Sequence, residues 1–127
     1  MKIRYTCQRE NGFTFSEIFT IEQLEVGEAE TWFAFNFVDR TNVHRDLFTS
    51  YKDEEKTDIY ENDIVIKNMG SKGYSEPMLV VFENGGFRLS PNRSILHDDL
   101  VMHLLNSAFK VIGNKYSNPE LMKLIKG

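Results

Sequence analysis

The chain has 127 residues, 41% hydrophobic and 13% aromatic. This suits one folded domain that buries roughly two-thirds of its unfolded surface, and it excludes a disordered chain. The 15 basic and 19 acidic residues leave a net charge of -4, which disfavours a dedicated nucleic-acid binder. Cys7 is the single cysteine, so neither an internal disulfide nor a cysteine-built zinc site is available within one chain. With no apolar leader and no apolar run near about 18 residues, the expectation is a cytoplasmic protein that keeps off membranes.

From the N-terminus, Ile3, Tyr5 and Cys7 alternate with Lys2, Arg4 and Thr6, the period of a half-buried strand. Asn11-Gly12 predicts a turn into a second strand, Phe13 to Phe19. Thr20 with Gln23 three residues later is a capping box, and Gly27 a stop, so Ile21 to Val26 is predicted as a short helix. Thr31 to Val38 reads as a strand with Phe33, Phe35 and Phe37 on its core face and Trp32, Ala34, Asn36 and Val38 on the other. That second face is partly apolar, which makes Trp32, Ala34 and Val38 a candidate interaction surface.

Asp39 to Lys56 is polar and charged around Leu47-Phe48, and the acids Asp53, Glu54 and Glu55 are expected in a solvated turn. In Ile59 to Val65 (I-Y-E-N-D-I-V), Asn62 can take the left-handed turn conformation and Asp63 can accept local backbone N–H bonds. Ile64 to Ile66 then favours a strand. Lys67 to Pro77 is predicted as a long flexible loop, with Lys67, Lys72 and Tyr74 as its candidate binding side chains. Its glycines lack phosphate-loop spacing.

Met78 to Ser90 predicts a hairpin in which an Asn84-Gly85 turn pairs Phe82 with Phe87 and Val80 with Leu89, all four on one face. Asp98 to Phe109 carries helical periodicity, with Leu100, Val101, Leu104, Leu105 and Ala108 along one face. At the end, Asn118 as cap and Pro119 at the first helical position introduce a short helix with Leu121, Leu124 and Ile125 inward.

Charge is distributed unevenly. From Glu10 to Asp39 there are seven acids and no Lys or Arg, whereas Lys110 to Gly127 has four lysines against Glu120. Catalytic signatures are sparse. His97 and His103 are six apart and form no metalloprotease pair. Asp99 and His103 have i, i+4 spacing, which more often marks a surface ion pair than a metal site. His44 near Asp46 has no nucleophile motif to complete it. The expectation is therefore no enzyme, no metal and no cofactor.

Phe48 to Val65, F-T-S-Y-K-D-E-E-K-T-D-I-Y-E-N-D-I-V, resembles without a gap the YopX family pattern Y-T-G-L-K-D-K-N-G-K-E-I-Y-E-G-D-I-V. Val111 to Leu121, V-I-G-N-K-Y-S-N-P-E-L, is similar to that family's V-I-G-N-I-Y-E-N-P-E-L. Tyr60, Asn62, Asp63, Gly113, Asn114, Asn118 and Pro119 are the signature positions. Ser50, Lys56 and Asn62 stand where the family has Gly, and Glu55 where it has the Asn of an Asn-Gly turn. Glu54-Glu55-Lys56 therefore lacks the composition of a tight hairpin turn.

The resemblance implies a mainly β protein with a small barrel-like antiparallel core, short helices and no catalytic residues to transfer. It also implies phage or prophage company in a bacterial host. The expected organisation is one domain over 1-127, a β-rich part at 1-45 preceding a family core at 46-127. The expected role is a non-catalytic protein-interaction or oligomerising module, a homo-oligomer or a binder of a host or phage protein. The alternatives are a nucleic-acid-binding small barrel using Lys67, Lys72 and the C-terminal lysines, and a small-ligand protein with a nucleotide-like ligand at the 67-77 loop.

Overall fold

The computed structural model describes residues 1-36, 42-83, 85-90, 94-95 and 109-125. They form a mainly β chain with short helices, as expected, its strands lying in two antiparallel sheets. No closed barrel forms among the described residues. The chain clusters into two compact units, Met1–Phe48 and Thr49–Gly127.

In the first unit, β1 (Lys2–Gln8) and β2 (Thr14–Thr20) make the expected hairpin, with Tyr5 opposite Glu17 and Cys7 opposite Phe15. The capping box is formed: Thr20 Oγ1 accepts from Gln23 N–H at 3.2 Å and Gln23 Oε1 accepts from Thr20 N–H at 2.8 Å. Two orphan amides at the start of α1 (Ile21–Glu25) are thereby satisfied. Gly27, at φ 79°, turns the chain into a second helix, α2 (Glu28–Phe35).

This helix overturns the expected strand at Thr31 to Val38. Aromatic alternation in W-F-A-F fits period 2, but the window begins too late: Ala29 lies four residues before Phe33 and three before Trp32, the spacing of one helix face. Ala29 and Phe33 are buried with Tyr5 and Phe19, and Trp32 and Leu24 pack against them. Glu28 and Glu30 in the first turn suit the helix dipole. The assumed core residue Phe35 is instead 82% exposed, and Phe37 and Val38 lie outside the described residues.

The polar stretch after residue 42 is also a strand, β3 (Val43–Lys52), paired with β1 so that Asp46 faces Arg4 and His44 faces Thr6. Two of its charges meet opposite charges on other strands, which is what composition hides. Asp46 accepts from Arg4 at 3.1 Å, both buried, and Lys52 meets Asp58 at 2.7 Å. The last residues of β3 belong to the second unit, where they neighbour β4 (Asp58–Tyr60).

Between β3 and β4 the acids lie in a turn as expected, with Glu55 exposed and Glu54 half-buried, but Asp53 is buried. Its Oδ1 accepts from Glu55 N–H and Thr57 N–H, both at 2.8 Å, and its Oδ2 from Val111 N–H at 3.0 Å. Asp53 N–H bonds to Thr57 O at 2.8 Å and Lys56 N–H to Asp53 O at 2.9 Å. The turn thus closes without an Asn-Gly pair, with Lys56 held at φ 63°. Positive φ recurs at Ser50 (73°) and Asn62 (67°), so among the described residues the three non-glycine residues in this state occupy positions where the YopX pattern has glycine.

The second sheet has the order β8-β7-β6-β5-β9, with β5 (Asp63–Lys67), β6 (Met78–Glu83), β7 (Gly86–Ser90), β8 (Ser94–Ile95) and β9 (Phe109–Asn114). The hairpin register is the expected one, Val80 opposite Leu89 and Phe82 opposite Phe87. Asn84 lies outside the described residues. Ile59, Val65, Met78, Val80, Leu89 and Phe109 form the core of this unit. Phe109 opens a strand instead of closing a helix, and the rest of the expected helix from Asp98 lies outside the described residues, as do His97 and His103.

The C-terminal helix, α3, is a single turn, Pro119–Met122. Asn118 does not cap it with its side chain; its Oδ1 reaches back to accept from Asn114 N–H at 3.1 Å. Leu124, expected inward, is exposed.

Candidate functional site

The two signature stretches meet through β5 and β9, where Asp63 pairs with Asn114 and Ile64 with Gly113. Lys115 N–H donates to Asn62 O at 2.8 Å, and the Asn62 amide donates to Tyr116 Oη at 3.2 Å. Asp63 Oδ2 accepts from Tyr60 N–H at 2.8 Å, as its sequence context predicts, and Asn114 Oδ1 accepts from Tyr116 and Ser117 N–H. Gly113 is required by close approach, since a Cβ there would lie 2.5 Å from Asn118 Oδ1 and 3.0 Å from Leu121 Cδ1. Six of the seven signature positions, Tyr60, Asn62, Asp63, Gly113, Asn114 and Asn118, are therefore brought together at turns and strand ends, and Pro119 opens α3. They present backbone-satisfying groups and no exposed reactive set.

The 67-77 loop is more ordered internally than its composition suggests. Asn68 and Tyr74 form a β-bridge, Met69 N–H bonds to Gly73 O at 2.7 Å, and Ser75 Oγ accepts from Lys67 N–H at 2.8 Å. Tyr74 donates its hydroxyl to Glu54, which also accepts from the Asn68 amide at 3.1 Å. The hydrogen bond from Tyr74 holds the Glu54 carboxyl below its ordinary range and raises the Tyr74 phenol above its own. Of the three loop candidates, Tyr74 is tied to Glu54, while Lys67 and Lys72 are exposed side chains with no convergent partner set.

A recessed surface lies elsewhere, between β2 and α2 in the first unit. It is an open groove of about 450 Å³ whose apolar wall includes Phe19, Trp32 and Phe35 and whose polar wall includes Glu17, Gln23 and Glu28. Trp32 sits edge-on to Phe15 at 5.5 Å and to Phe19 at 5.8 Å, so its ring is fixed by neighbours on the sheet. Phe35, one turn of α2 further on, projects into solvent. Phe13, 58% exposed, extends the aromatic row through Phe15. Of the expected surface, Trp32 therefore lines a groove wall, Ala34 is exposed on α2, and Val38 lies outside the described residues.

Sequence reading missed Glu17, Glu28 and Phe35 as a group. The lysine-free acidic run was the available signal, but only the helical phase of α2 shows that its acids rim an aromatic wall. The arrangement offers desolvation to an apolar side chain and two carboxylates to a cation beside it. Among the described residues no group of three or more His, Cys, Asp or Glu is placed to hold a metal ion, and no helix is long and apolar enough to cross a membrane.

A small, mainly β protein with an open groove in its first unit is the class that fold and site define. A family model describing the YopX protein matches residues 8-123. The chain belongs to the YopX family. Comparison with curated proteins finds no match.

Proposed function

We propose that this YopX-family chain is a non-catalytic protein-interaction module of the phage or prophage type, acting in a bacterial cytoplasm. Its groove between β2 and α2 takes a cationic, apolar segment of a host or phage protein. One observation carries the reading: Phe35, 82% exposed, stands beside Trp32 in a groove walled by Glu17 and Glu28. An exposed aromatic next to a half-buried one is the composition of a binding hot spot. The carboxylates add selection for positive charge and faster encounter, and they disfavour phosphate.

Trp32 is the only tryptophan, so its fluorescence reports occupancy of the groove without a label. Titration with short synthetic peptides rich in Arg, Val and Phe is expected to shift and saturate that emission, while the same peptides with Glu in place of Arg leave it unchanged. Phe35→Ala removes a solvent-facing ring and is expected to weaken binding roughly tenfold or more with the fold intact. Glu17→Lys with Glu28→Lys is expected to abolish the preference for basic peptides, and added salt to weaken binding to the wild type. Equal responses to acidic and basic peptides, or none to either, refute the reading.

A further inference from the structure

The hydrogen-bond parity of β2 leaves one edge of the sheet facing outward beside the groove. Arg9 N–H donates to Phe13 O at 2.8 Å, and the register continues Cys7 to Phe15, Tyr5 to Glu17 and Ile3 to Phe19. In an antiparallel ladder these odd-numbered residues of β2 turn their amides and carbonyls toward β1, so the even-numbered ones turn theirs away. Two side-chain bonds mark that outward direction. Thr20 N–H goes to Gln23 Oε1 in the capping box, and Ile18 N–H goes to the carboxylate of its neighbour Glu17 at 3.4 Å. β2 is the terminal strand in the order β2-β1-β3-β4, and Ser16, Glu17 and Ile18 at its middle are exposed.

An exposed terminal strand is a template for another strand, and proteins commonly blunt such edges with lysine, proline or a bulge. Between Thr14 and Thr20 there is no lysine and no proline, and the pairing of β1 with β2 runs without a register shift. At the middle of this edge the Glu17 carboxylate lies over Ile18 N–H, at a distance that makes it a weak and replaceable partner.

Resting on the groove reading above, we infer that the partner segment docks in extended form as an added strand on the outer edge of β2, centred on Ser16 and Ile18. A carbonyl of the incoming strand replaces the Glu17 carboxylate on Ile18 N–H, which releases that carboxylate to an arginine or lysine of the same segment. Alternate side chains of the added strand fall on the face that carries Phe15, Glu17 and Phe19, and so enter the groove beside Trp32. Backbone pairing supplies affinity, and the groove with its acids supplies choice. A second copy of this chain is a poor occupant, because antiparallel pairing of β2 with itself brings Glu17 of one copy near Glu17 of the other within segments that carry only negative charge.

The test uses the whole chain and the Trp32 signal with one basic apolar peptide that binds, N-methylated on alternate amides in two versions that differ by one residue in phase. Methylation on the edge-facing phase is expected to weaken binding at least about tenfold. Methylation on the opposite phase is expected to leave it within about twofold. Ile18→Pro removes the outward amide without touching the β1 ladder and is expected to match the first result, with circular dichroism checking the fold. Equal binding by both methylated versions overturns strand addition while the groove reading stands. Failure of every unmodified peptide to bind overturns the groove reading itself. A dimer in light scattering that Ile18→Pro dissociates, with peptides inert, shows that the edge serves a second copy and overturns the proposal.

Discussion

Ser50 and Lys56 are exposed, carry Cβ atoms, and sit at φ 73° and 63°. The left-handed region costs an L-residue roughly 1–2 kcal/mol, because Cβ crowds the backbone carbonyl. Glycine escapes that cost but loses roughly 0.5–1 kcal/mol more in chain entropy on folding. Replacement by glycine is therefore expected to stabilise by roughly 0.5–1 kcal/mol at each site, and Ser50→Gly with Lys56→Gly together by roughly 1–2 kcal/mol if the sites act independently. Urea unfolding measures this as a higher midpoint at unchanged slope, and calorimetry as a Tm raised by roughly 4–8 °C. Ser50→Ala with Lys56→Ala trims both side chains but retains Cβ, so it is expected to stay within about 0.5 kcal/mol of the wild type. If the alanine pair gains as much as the glycine pair, Cβ strain is not the cause and the reasoning fails. Asn62→Gly is expected to gain less, since Asn tolerates the left-handed state and its amide donates to Tyr116.

Gly113→Ala is expected to cost roughly 1–3 kcal/mol in denaturant unfolding, because its methyl would displace Asn118 from Asn114 N–H. A neutral result would mean that the C-terminal turn yields freely. Asp53→Ala strands three amides, those of Glu55, Thr57 and Val111, and is expected to cost about 3 kcal/mol; a loss below about 1 kcal/mol would show that they find other partners. The Glu54–Tyr74 bond has an effect at both ends of the pH scale. The lowered Glu54 pKa gives a contribution present above the ordinary carboxylate range and lost as pH falls through the folded value, while the raised Tyr74 pKa gives one lost as pH rises through a value above the ordinary tyrosine range. Spectrophotometric titration of the wild type against Tyr74→Phe should therefore show the missing phenol to be one that ionises late, and a Tyr74 that ionises with free tyrosine would contradict the bond.

The mainly β class, the first hairpin, the capping box, the Phe82 to Phe87 register and the turn role of Asn62 and Asp63 were legible in the sequence. Each rests on residues adjacent in the chain or paired across a short turn, where steric preference and one or two hydrogen bonds decide the conformation. The resemblance at Phe48 to Val65 and Val111 to Leu121 also pointed to the family to which the chain belongs. What failed locally failed for an identifiable reason. Thr31 to Val38 satisfies both strand and helix periods over so few aromatic residues, and Ala29 against Tyr5 and Phe19 decides for the helix.

Charge misled in a similar way. Asp53 was expected in a solvated turn, yet it is buried against the amide of Val111, which lies 58 residues away, and Asp46 in the same polar stretch is buried against Arg4 from β1. The groove belongs to the same category. The sequence by itself determined where the chain turns, which stretches alternate and that its acids crowd one segment, because those properties follow from neighbouring residues. Only the tertiary structure decided that Trp32 and Phe35 share a groove with Glu17 and Glu28 beside the outer edge of β2, because that groove depends on the rotation of α2, and packing against the sheet sets that rotation.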